Sequence, residues 1–121
     1  MLRHREPAQI DPAPLETLFR ELGPESGTAV IDRALEELAA RLARAACCEG
    51  PGGAARLRKT VRGLAAISEQ LGLHQLAGVA RDVGHCADSG DPVALAATRD
   101  RLLRLGAAAI GALEPYTRPD R

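Results

Sequence analysis

Few side chains in this chain are of types that do chemistry, and their spacing says more than their number. Arg56, Arg58, Lys59 and Arg62 fall within one stretch, Ala54 to Gly72, which reads AARLRKTVRGLAAISEQLG. Guanidinium and ammonium groups at that density suit phosphate or carboxylate oxygens. Three histidines, His4, His74 and His85, are the available bases or nucleophiles, and they are scattered along the chain. Cys47, Cys48 and Cys86 are an odd number of thiols with no CxxC spacing, so neither a disulfide framework nor a zinc site is indicated. No GxxxxGKS, GxxxxGKT, GxGxxG, GxSxG or HExxH motif occurs. Hydrolysis needs a nucleophile, a base and an orienting group that converge, and nothing in the spacing promises that. The expectation is a protein without enzymatic activity, with no catalytic residue, cofactor or metal.

The basic group must be positioned by a helix. Leu57, Val61, Leu64, Ser68 and Leu71 recur every three or four residues and mark one largely apolar face. The opposite face carries Arg58, Lys59, Arg62, Ala65, Ala66 and Glu69, a basic surface with small residues on which a partner could lie flat. Gly72 supplies a left-handed stop.

The rest of the chain reads as further helices. Residues 1–9 are expected as a disordered tail that holds His4, and 10–114 as one helical bundle. Asp11-Pro12 opens a first helix with Leu15, Leu18, Phe19 and Leu22 inward, and Gly23-Pro24 ends it. A second helix begins near Ser26 to Thr28 and runs to about Cys48, with Ile31, Leu35, Leu38, Leu42 and Ala45 on its inner side. The segment EGPGG, residues 49–53, is a loop. After the basic helix a fourth spans Leu73 to Asp88, and Ser89-Gly90 breaks it. Asp91-Pro92 repeats the capping device, and the last helix continues to Glu114 before Pro115 stops it. Residues 115–121 are expected as a second tail. No segment reads as a strand. Short connections between amphipathic helices predict an all-α antiparallel up-down four-helix bundle with a short leading N-terminal helix. Leu35, Leu38, Leu42, Leu64, Val83 and Leu102 are its expected core.

Composition agrees with that class. The 121 residues and 12.7 kDa fit one domain, and 45% hydrophobic residues with only 2% aromatics suit closely packed helices better than a sandwich. Sixteen basic residues balance sixteen acidic ones, which gives no global attraction to nucleic acid or anionic membrane. Without interleaved aromatics the basic helix offers no stacking platform for single strands. The expectation is no nucleic-acid or membrane partner. No apolar run reaches membrane-span length and MLRHREPAQ lacks a signal-peptide core, so the expected location is cytoplasmic.

The order of helices and turns resembles the histidine-containing phosphotransfer (HPt) domain of bacterial phosphorelays, from Asp11 to about Glu114. In that family one helix carries a pattern like HxLKGxxxxxG and a later bundle helix ends in a Gly-Asp turn. Leu64 matches the motif's Leu, Leu71-Gly72 its closing Leu-Gly, and Ser89-Gly90-Asp91 the later turn. In this register the phosphoacceptor position is Arg62, the usual Lys falls on Ala65 and the usual Gly on Ala66. A guanidinium stays protonated, with a pKa above about 12, and has no free nucleophilic nitrogen. The resemblance therefore implies a degenerate, non-catalytic signalling adaptor. It would bind a response-regulator receiver domain or a histidine kinase through Arg58, Lys59, Arg62, Ala65, Ala66 and Glu69.

Two alternatives stand beside it. His74-Gln75-Leu76-Ala77-Gly78 with Gly84 also fits the pattern and would make His74 the phosphoacceptor, but that register leaves no room for the partner helix. His74 is otherwise expected as a partly exposed residue at a helix start. His85, opposite Leu76, Val79 and Val83, is expected to face solvent and is the second candidate acceptor. The other alternative is a bundle that only dimerises, which would call for an apolar exposed interface.

Overall fold

The computed structural model describes residues 6–117. Four helices and one short 3-10 turn make up the architecture, with no strand among the described residues. They are α1 (Ala13–Ala46), α2 (Gly53–Gln70), α3 (His74–Ser89) and α4 (Pro92–Leu113), followed by the 3-10 turn Glu114–Thr117. Helix α2 packs on α3 and α3 on α4, and α1 contacts both α2 and α4, so the four close around one core.

Local chemistry sets each boundary. Asp11 Oδ1 accepts from the Ala13 amide at 3.1 Å as α1 begins. The expected break at Gly23-Pro24 is present as a sharp kink, where two helical stretches within α1 meet with no loop between them. Gly23 adopts φ 82° and ψ 171°, and helical structure resumes at once through Pro24. Phe19 lies against Gly27, where a side chain would collide with its ring. Eight residues of straight helix span about 12 Å, so this contact exists only because the chain turns at Gly23. Bending also leaves Leu22, expected inside, 46% exposed.

At the far end of α2 a Schellman closure forms. The Leu73 amide donates to Ser68 O at 2.8 Å and the Gly72 amide to Glu69 O at 3.1 Å, with Gly72 at φ 80°. No other residue fits there, because a Cβ would collide with the backbone carbonyl of Asp11. Asp91 caps α4 by accepting from the Val93 and Ala94 amides at 3.0 and 3.1 Å.

All six expected core residues are buried, with Leu38, Leu64, Val83 and Leu102 fully so. Small residues let the helices approach: Ala45, Ala77, Ala80 and Ala109 are buried, and Gly106 accommodates the Leu42 methyls. The expected tails are partly structured. Residues 6–12 carry no helix, yet Glu6 meets the Arg101 guanidinium with two hydrogen bonds of 2.9 and 2.8 Å, and Ala8 and Ile10 pack on the core. The 3-10 turn packs against α1 and α4. His4 lies outside the described residues.

Candidate functional site

The basic helix forms one wall of a groove of about 370 Å³ whose other wall is α3. Arg58 and Arg62 line it from α2, and Arg81, His85 and Asp88 from α3. Its floor is Val61, Ala65, Ala80 and Gly84, all small or β-branched, with Ala66 at the edge. Of the six expected partner-binding residues, the fold gathers four here: Arg58, Arg62, Ala65 and Ala66. Lys59 is exposed outside the groove lining, and Glu69 sits at the end of α2, occupied by its own ion pairs. One placement needs correction. Ala65, expected on the exposed face, is only 6% exposed and belongs to the core, because α3 packs closely against that side of α2.

The groove's charges are unequally engaged. Arg58 Nε pairs with Asp88 at 3.2 Å, and Arg81 Nη2 with Glu69 Oε2 at 2.7 Å. Arg56, part of the basic group in the sequence, turns away: its guanidinium donates to Pro51 O at 3.0 Å and Glu49 O at 2.7 Å and ties down the loop before α2. Arg62 and His85 have no ion-pair or hydrogen-bond partner among the described residues. The arrangement offers free donors over a concave floor, which is suited to holding an anionic group.

The α3 wall escapes a reading of α2 alone. A signal for it exists, since Arg81, His85 and Asp88 recur at four and three residues and share a helix face.

His74 lies elsewhere and is fully engaged. Exposed at the start of α3, it presents Nδ1 to Glu69 Oε1 and Nε2 to Asp11 Oδ2, the latter at 3.0 Å. Hydrogen bonds to Glu69 and then Asp11 raise its pKa above the usual imidazole value. Glu69 is held low by Arg81 and then by His74, and Asp11 by the Ala13 amide and then by His74. A ring clasped by two carboxylates has neither a free nitrogen lone pair nor a field that welcomes a phosphoryl group.

The three cysteines are free thiols. Cys48 Sγ donates to Arg44 O at 3.0 Å, Cys47 is exposed and Cys86 half-buried. Among the described residues no group of three or more His, Cys, Asp or Glu side chains is placed to hold a metal ion. No helix among the described residues is long and apolar enough to cross a membrane. In comparisons with known proteins, no family model, no curated protein and no solved structure matches this chain.

Proposed function

We propose that this protein is a non-catalytic HPt-like signalling adaptor. It docks a response-regulator receiver domain, or the dimerisation helices of a histidine kinase, on the groove between α2 and α3. One observation carries the reading: Arg62, at the position where the resemblance expects a phosphoacceptor, is the groove's arginine without a carboxylate partner among the described residues. A permanent cation there suits the acidic pocket of a receiver and offers forked hydrogen bonds. We read the helices as an antiparallel up-down bundle, an order supported by the Arg58–Asp88 pair and the single-glycine turn at Gly72, with the part before Gly23 as a leading arm. The adaptor works in the cytoplasm, without nucleic acid, membrane or cofactor.

The test is a pull-down from native cytoplasm followed by titration of the captured receiver or kinase at two salt concentrations. Arg62→Ala should weaken binding by about 2 to 5 kcal/mol, chiefly through faster dissociation. Arg62→Glu should do worse. Arg58→Ala should act mainly on the association rate, since Asp88 already neutralises that cation. Equal affinity of wild type and Arg62→Glu would sink the proposal.

A second reading, active phosphotransfer, now turns on His85 more than on His74. His85 lines the groove with a free ring, whereas both His74 nitrogens are clasped. Incubation with a phosphorylated receiver, quenched without acid, should leave this chain unlabelled under the adaptor reading. Labelling that disappears in His85→Ala would establish the rival, and labelling lost in His74→Ala would restore the alternative register.

A further inference from the structure

Beyond the adaptor reading, on which it rests, we infer that the α2–α3 groove recognises a protein-borne phosphoryl group, held between Arg62 on one wall and His85 on the other. The partner form selected is therefore the phosphorylated one.

Donor geometry separates this ligand from a plain carboxylate. A carboxylate has two oxygens and is satisfied by one guanidinium fork, so Arg62 alone would suffice for it. A phosphoryl group presents three terminal oxygens in a tetrahedron, and the third needs a donor from another direction. The groove supplies that donor on a separate helix, since Arg62 rises from α2 and His85 from α3 around the same cavity. Neither has a partner among the described residues, while Arg58 and Arg81 on the same walls are each held by a carboxylate. Each of those two pairs is neutral as a pair and presents no free fork. Ala65, Ala66, Ala80 and Gly84 leave the space between the walls clear, and the cavity of about 370 Å³ has room for a phosphoryl group with the side chain that carries it. No covalent step is involved: the group is bound and stays on its carrier.

The source is committed to a protein side chain because the groove is an open trough between two helices, 16 and 18 residues long, not a closed cup. A carrier peptide can lie along it, and a free anion would leave most of it empty.

The experiment is a nuclear magnetic resonance titration of the full chain with four probes, read at the Arg62 side-chain N–H and the His85 ring. The probes are inorganic phosphate, acetate, an acidic peptide containing aspartate, and the same peptide with a phosphonate isostere of aspartyl phosphate. The phosphonate peptide should bind about tenfold or more tighter than its aspartate counterpart, and tighter than inorganic phosphate. His85→Ala should erase most of that preference while sparing the aspartate peptide, and Arg62→Ala should weaken both. Both side chains are exposed, so neither change threatens the fold, and unchanged circular dichroism verifies this. Equal affinity of the two peptides overturns the phosphoryl assignment, as does a preference that survives His85→Ala or silence at both resonances. Inorganic phosphate binding as tightly as the phosphonate peptide overturns the protein-borne source. A parallel titration of a captured receiver against Arg62→Glu fails separately: if that variant binds normally, it is the adaptor reading that falls.

Discussion

The two sides of α3 make opposite use of charge. Toward the N-terminal segment charged groups pair with one another: Glu6 with Arg101, and Asp11 with His74, whose other ring nitrogen meets Glu69. Toward α2, beside the pairs Arg58–Asp88 and Arg81–Glu69, Arg62 and His85 stand in the groove with no partner among the described residues. Exposed ion pairs of the first kind contribute little stability one by one, but they fix where residues 6–11 lie. Unmatched donors on a concave surface do the reverse. They leave a field that only a second molecule can satisfy. The matched side reads as construction and the unmatched side as recognition.

Changing the core beneath both sides should blur the distinction. Leu38→Ala removes a fully buried side chain and should cost about 2 to 5 kcal/mol in denaturant unfolding, with both regions melting in one transition. No loss of stability would remove Leu38 from the shared core. Gly72→Ala should strike the matched side alone. It places a Cβ at φ 80° and against Asp11, so a loss of about 1 to 3 kcal/mol is expected, with partner binding at the groove unchanged. A fall in groove affinity would mean that the two sides are mechanically coupled.

Smaller still is Ser68→Ala, which touches neither region. Ser68 Oγ is buried without a hydrogen-bond partner among the described residues, so its removal should raise stability by about 1 kcal/mol. Destabilisation would reveal a bond to Ser68 in solution, through an ordered water for example.

The smallest expected effect is on pH. A raised His74 pKa means its contribution is complete below the ordinary imidazole value and fades as pH climbs through the raised one. Lowered Asp11 and Glu69 values mean their contributions hold above the ordinary carboxylate range and fade only in acid. The clasp is thus complete in mildly acidic solution and loosens on the alkaline side, where a neutral ring retains one N–H for two carboxylates. Hydrogen-exchange protection of the Asp11 amide, which donates to Gly72 O at 2.8 Å, should fall there relative to the α2 amides. His74→Gln should show no such pH dependence. Protection that is flat with pH in wild type would mean the clasp does not hold the segment.

What the sequence determined by itself is the all-helical class, the stops at Gly72 and Gly90, the cap at Asp91 and the six core positions. These follow from short-range rules. Apolar residues at three- and four-residue spacing select a buried face, and a glycine at positive φ ends a helix wherever it sits. His74 at a helix start and His85 at the surface were legible for the same reason.

Tertiary structure decided the rest. The break at Gly23-Pro24 is legible in the sequence, but the sharp angle at which the two helical stretches meet depends on Phe19 packing on Gly27, a contact between segments. Ala65 is buried because α3 covers it, which the period of α2 alone does not reveal. The sequence places Arg56, Arg58, Lys59 and Arg62 together as equals, yet Arg56 is spent on the loop carbonyls and Arg58 on Asp88. Ion pairing joins residues distant along the chain, and its strength depends on distances of a few ångströms that no spacing rule encodes. Only packing α2 on α3 leaves Arg62 unmatched and sets His85 across the groove from it.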